Sequence, residues 1–494
     1  MMIRRMLAVQ TLRTRYARKM EAMSQSITSS LSVGKQKNPI YALDGVRAVA
    51  CLCVISFHLN LFSLFGHIWS PMLNDVGATM ISSMALAGEM GILLFFILSG
   101  FLLFLPFAKA ILFDQPRPLL RRYYIRRIFR ILPGYYVALL LMVLYLQPIY
   151  LQPAHLHELW LFLTFRMDFP PTYQQINAPF WTLAIEFQFY LLLPLMAWLI
   201  SKVASQGVLR IRVLKMVICI LAMLAWGLFT RYWGFLLTSN TPTQDFTLPE
   251  MISSTLRPYI FGTSGKYFEI FAIGMLIAVA YLYLQNEPHS DWLNTRVRLL
   301  SPFLFVLGLI VIACANLWHY YVVYVHGITL HYLDAYQNVL KSSKDVLNPI
   351  SFALGYGLCL FAVLHGPASL RKPFEWLPLR WIGFISYSLY IWHDPFIIFF
   401  QLYFLPNFQV LGWMMGAQYM IFVLWVLVTV FPLSITFYRW VEMPGMRVGE
   451  RICSWLERRG HEDKDTASIT VAVPEIRETV LTASDSGDNS LRSL

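Results

Sequence analysis

The chain has 494 residues, of which 57% are hydrophobic and only 13% charged. Soluble proteins carry roughly 25% charged residues, so this composition excludes a soluble domain of such size, as well as disordered, collagen-like and small disulfide-rich chains. The net charge of +12 is dispersed between apolar stretches and not gathered into a nucleic-acid-binding face, and among the six cysteines no CxxC pair or His/Cys cluster suggests a metal.

Residues 1–40 form a basic leader that lacks the apolar core of a signal peptide, which reads as a cytoplasmic segment. A helix needs about 20 apolar residues to cross a bilayer. Ten such stretches follow, at 41–65, 82–107, 128–149, 178–200, 213–237, 266–285, 299–318, 347–365, 381–405 and 411–438. The stretch His157–Met167 is apolar but too short to span, which suits an interfacial or re-entrant segment. Residues 446–494 form a cytoplasmic tail, expected to be largely disordered from its Ser, Thr, Asp and Glu content. The expected fold is all-α: a polytopic transmembrane bundle of about ten spanning helices, with residues 41–445 as the membrane domain.

Lys and Arg fix the expected orientation. The leader and alternate loops hold 29 of them, whereas the intervening loops hold six: Arg166, Arg231, Arg257, Lys266, Lys341 and Lys344. By the positive-inside rule both termini are cytoplasmic. The excess positive charge then faces anionic lipid heads and any anionic cytosolic ligand.

A charge at bilayer depth costs at least ~2.5–3.5 kcal/mol on insertion scales, so each one asks for a reason. The first span carries Asp44, Arg47 and His58. Arg47 and His58 are eleven positions apart, about three turns and about 16 Å, so the two share a helix face without touching. The fourth span carries Glu186 about as deep from its outer end as His58 lies from its own, and the ninth carries Ser386, Tyr387 and His393. His58, Glu186 and His393 can therefore meet in one layer, and a His with a carboxylate is an ordinary general-base pair. Ser99, in Gly88–Phe101 of the second span, can hydrogen-bond a neighbouring helix while its glycines permit close packing. Before the third span, Arg126, Arg127 and Arg130 lie at helical-neighbour spacing and repel one another unless an anion joins them. Arginine forks suit phosphates, whether of a ligand or of lipid head groups.

At these residues the sequence resembles the acyltransferase 3 family, integral-membrane O-acyltransferases of polysaccharides, peptidoglycan and macrolides. The resemblance runs over residues 41–445 in six motifs. They are Leu-Asp-Gly-x-Arg47 with His58 following, Phe-Phe-x-Leu-Ser-Gly-Phe at 95–101, and Arg127-x-x-Arg130-Ile-x-Pro133. Then come Trp181-Thr-Leu-x-x-Glu186-x-Gln-Phe-Tyr190, Ile385-Ser-Tyr-Ser-Leu-Tyr-Ile-Trp-His393-x-Pro395 and Tyr438-Arg-Trp-Val-Glu442-x-Pro444. Thr182 stands where the family usually has Ser, and the stretches 231–265 and 319–346 are long.

The resemblance implies an acyl-CoA donor, acetyl-CoA before others, and a carbohydrate or glycoside acceptor in the plasma membrane, with no metal and no nucleic acid. It implies that Arg47, Arg127 and Arg130, with Arg126 beside them, engage the donor and that His58 is the catalytic histidine. Glu186 is expected to be its partner. Two routes stay open, direct transfer with His58 as base and a relay through acyl-His58. Ser99, Trp181 and Tyr387 are candidate oxyanion donors, with Asp44 and His393 as further candidates. A proton-coupled transporter or a lipid or glycan exporter also explains intramembrane His and Glu, but not arginines confined to one mouth.

Overall fold

Only helices or closed barrels satisfy their backbone inside a bilayer, and among the described residues every regular element is helical. The computed structural model describes residues 40–68, 83–84, 86–236, 250–286, 290–324 and 337–458. The leader and the tail beyond residue 458 lie outside the described residues.

The elements, in chain order, are α1 (Ala42–Phe65), a 3-10 turn (Ala87–Met90) leading into α2 (Gly91–Leu112), α3 (Leu120–Leu141), α4 (Leu156–Leu163), α5 (Phe180–Ala204) and α6 (Leu209–Leu236). They continue as α7 (Glu250–Ile260), α8 (Phe268–Asn286), α9 (Ser290–Tyr324), α10 (Gln337–His365), α11 (Ala368–Glu375), α12 (Leu377–Phe384), α13 (Ser386–Tyr403), α14 (Leu405–Val410) and α15 (Met415–Phe437). A π-turn over Tyr438–Glu442 carries α15 on as helix through residue 458. The first residues of the expected disordered tail are therefore helical.

Nine helices among the described residues are long and apolar enough to cross a membrane, one for each of nine expected stretches. This is a multi-pass membrane protein. The stretch 381–405 differs from expectation: it breaks at Ile385 into α12 and α13. The reason is chemical. Helix α13 carries Ser386, Ser388, His393 and Asp394, all buried in the bundle, so its neighbours are protein groups that satisfy polar side chains instead of lipid. The short apolar stretch near residue 160 forms α4, only eight residues long.

Close crossings explain the motif glycines. A Cβ on Gly100 of α2 would fall on the Phe271 carbonyl of α8, and one on Gly274 of α8 would fall on the Ile97 carbonyl of α2. The two helices can approach so near only because each offers a residue without a side chain. The start of α1 is clasped likewise: a Cβ on Gly45 would strike the Phe374 carbonyl of α11, and one on Gly383 of α12 would strike that of Asp44. These crossings fix the heights of Ser99 and of the Asp44–Arg47 turn.

Candidate active site

Two clefts open between α2 and α3. The narrower is lined by Arg47, Arg127, Arg130, Ser99, Glu186 and Tyr190, with Thr182, Tyr387 and Tyr390 along its far wall. The wider, about 450 Å³, lies toward Arg122, Tyr123, Arg126 and Pro118. Leu102, Leu103 and Arg127 belong to both linings, so the clefts adjoin at Arg127.

The arginines divide into two kinds. Arg47 lies 3.3 Å from Asp44 one helical turn away. Arg126 is held by Glu450, with its Nε 2.8 Å from a carboxylate oxygen, and Arg122 by Glu457 at 2.6 Å. Arg126 was expected to serve a donor, but its charge is already met by the helix that follows the π-turn. Among the described residues no salt bridge joins Arg127 or Arg130 to a carboxylate. Their guanidiniums share one cleft with Arg47, which leaves that cleft with an excess of fork-shaped cationic donors.

Glu186 stands in the same cleft. Ser99 Oγ donates to its Oε1 at 2.5 Å, and Ser99 and Tyr190 hydroxyls lie 3.3 Å apart. Glu186 and Tyr190 are four residues apart in α5 and so share a face; that spacing is the signal by which Tyr190 was legible though not singled out. Tyr387 donates to the Ile131 carbonyl of α3 at 2.8 Å, which engages its proton. Trp181 does not belong to the cleft; its ring lies 5.6 Å from Tyr173 and 5.7 Å from Tyr267. Beneath Tyr387, Ser388 donates to Glu442 of the π-turn.

His58 keeps different company from that expected. Its Nδ1 lies 3.0 Å from the Val54 carbonyl and 3.1 Å from His393 Nε2. His393 Nδ1 in turn lies 3.1 Å from the Leu389 carbonyl. A carbonyl only accepts, so His393 carries its proton on Nδ1 and presents a lone pair on Nε2. His58 must then carry its proton on Nδ1, which leaves His58 Nε2 free to accept one. The side chain in hydrogen-bond contact with His58 is thus His393, named only among the further candidates, whereas Glu186 accepts from Ser99. Next to His393, Asp394 accepts from the Ala178 amide at 3.4 Å, and Asn177 donates to the Ile391 carbonyl at 2.9 Å. Both contacts tie the start of α5 to α13.

Tyr390 stands between the two centres. It lines the cleft, hydrogen-bonds Thr182 at 2.7 Å, and its ring centroid lies 5.8 Å from that of His393. Neither histidine lines the cleft. Among the described residues no group of three or more His, Cys, Asp or Glu is placed to hold a metal ion.

The sequence model of the acyltransferase domain, that of the acyltransferase 3 family, covers residues 40–439; the chain belongs to this family. It is 27% identical over 374 residues to the peptidoglycan O-acetyltransferase OatA of Listeria monocytogenes, covering 72% of this chain and 49% of that protein. To the putative peptidoglycan O-acetyltransferase YrhL of Bacillus subtilis it is 24% identical over 381 residues, covering 73% and 49%. To the O-acetyltransferase OatA of Staphylococcus aureus it is 23% identical over 461 residues, covering 90% and 63%. The chain thus spans about half the length of the first two relatives. No solved structure matches it.

Proposed function

We propose that the protein is a membrane-embedded O-acyltransferase that moves an acyl group, acetyl before others, from acyl-CoA to a hydroxyl of a carbohydrate or glycosylated acceptor. One observation carries the reading: Arg127 and Arg130 enter a cleft with Arg47 and without a neutralising carboxylate of their own, in a chain of the acyltransferase family. CoA is rich in phosphates and has a long thin arm. The wider cleft has the room for its nucleotide end, and the narrow one leads the arm past Arg127 toward Ser99 and Tyr390. We place it in the plasma membrane, with the arginine end and both termini toward the cytosol, the orientation that the excess of Lys and Arg in alternate loops supports.

In this reading His58 Nε2 takes the acceptor's hydroxyl proton. The alkoxide oxygen bonds to the thioester carbonyl carbon, the carbon–sulfur bond breaks, and the proton passes to the departing thiolate. His393 steadies the imidazolium by accepting from Nδ1. The alternative route places the acyl group first on His58 Nε2. Either way the thioester passes Tyr390, the residue that touches both centres. Glu186 acts on the donor side, holding Ser99 beside the cationic groups.

The test is binding of labelled acetyl-CoA to purified protein. Arg127→Ala and Arg130→Ala should each weaken it about tenfold or more, since a hydrogen bond to a charged group contributes about 1.5–3 kcal/mol. Unchanged binding together with a changed preference for anionic lipids would assign these arginines to head groups instead.

A further inference from the structure

The 3-10 turn Ala87–Met90 is pressed against α1 just before His58. A Cβ on Gly88 would fall on the Cys53 carbonyl and lie 3.0 Å from Phe57 Cβ; one on Gly91 would lie 2.9 Å from the Ala50 carbonyl. Between these glycines stands Glu89. Its carboxylate is 3.4 Å from His319 Nε2 of α9, and its side chain remains 47% exposed while that of His319 is 5% exposed. The carboxylate is therefore backed by a buried imidazole and open in front. With Nε2 turned to Glu89, His319 Nδ1 has no hydrogen-bond partner among the described residues, so the pair retains capacity for a further polar group. The turn that carries Glu89 packs on Phe57, the residue before His58 in α1, and the Glu89 carboxylate is within electrostatic reach of Tyr173. Tyr173 begins a row of aromatic rings, continuing with Trp181 and Tyr267 at spacings of 5.6 and 5.7 Å.

We infer that Glu89 is an acceptor-binding residue: backed by His319, it receives a hydroxyl of a sugar beside His58, with Tyr173 offering the ring face on which the sugar packs. The chemistry suits a carbohydrate. A carboxylate takes hydroxyl protons in short hydrogen bonds, and an aromatic face matches the C–H face of a pyranose. The arrangement also separates the two substrates, with arginines for the phosphorylated donor and a carboxylate, which repels phosphate, for the neutral acceptor. The inference rests on the acyltransferase reading.

The experiment uses the full chain, labelled acetyl-CoA, and two probe acceptors, an N-acetylglucosamine tetrasaccharide and methyl glucoside. Glu89→Gln should raise the KM for the sugar about tenfold while acetyl-CoA affinity stays the same, and Glu89→Asp should recover part of the loss. Tyr173→Ala should raise the same KM by a pathway that leaves Glu89 intact. An unchanged sugar KM in Glu89→Gln, with donor binding still sensitive to Arg127→Ala, overturns this inference alone. Transfer to neither sugar by a protein that binds acetyl-CoA overturns it too. Failure of the wild-type protein to bind acetyl-CoA at all sinks the acyltransferase reading itself.

Discussion

Two backbone carbonyls decide what His58 can do. Those of Val54 and Leu389 set the protons of His58 and His393 on Nδ1, and the 3.1 Å contact between the rings transmits that choice. General-base groups contribute about 10²–10⁴ in rate, so His58→Ala should lose about that much transfer while acetyl-CoA binding persists. His393→Ala should lose less, because the Val54 carbonyl still holds the Nδ1 proton. Transfer rates of both variants, measured alongside donor binding, check this; a deeper loss from His393→Ala would make His393 the base. The identity of the charged residues was legible in the sequence, since every ionisable group at bilayer depth asks for a reason. Their partners were not. Helical spacing places Arg47 and His58 on one face of α1, but it says nothing of how far α5 and α13 are rotated. That rotation sends Glu186 to Ser99 and brings His393 to His58.

At the scale of elements, glycines set the distances. The Ser-Gly-Phe motif near residue 100 promised close packing, and α8 delivers it through Phe271 and Gly274. Gly100→Ala must push α2 from α8, because the added carbon would meet backbone and not a movable side chain. Such overpacking costs about 1–3 kcal/mol. The displacement also carries Ser99 away from Glu186, so thermal stability in detergent and acetyl-CoA binding should fall together. Gly416 in the first turn of α15 has nothing within 4 Å; Gly416→Ala should leave both unchanged or gain up to about 1 kcal/mol from helix propensity. Equal losses from the two variants would deny the crossing its role. Helix α13 shows where hydropathy misleads: its polar residues face protein, so the stretch that was expected to span as one helix is broken and less apolar. The break at Ile385 is unreadable from periodicity; just before it Gly383 packs against the Asp44 carbonyl, a tertiary contact that the pattern of apolar residues does not encode.

The proposed path takes the polar groups in levels: Arg127 and Arg47, Ser99 with Glu186 and Thr182 with Tyr390 line the cleft, and beyond it come the histidine pair and Glu89. The path has a direction only if the membrane gives it one. The positive-inside rule gives the expected direction, with 29 basic residues in the leader and alternate loops against six in the intervening ones. Gln206, between α5 and α6, should therefore face the cytosol, and Gln174, before α5, should face outward. Both side chains are exposed, so cysteines placed there meet solvent. In intact cells a membrane-impermeant maleimide should label Gln174→Cys and spare Gln206→Cys, with permeabilisation making the second reactive and the unsubstituted chain as baseline. The reverse pattern would point Arg127 and Arg130 away from the cytosol. A CoA thioester is too polar to cross the bilayer unaided, so the donor reading of those arginines would fall with the orientation, whatever their geometry.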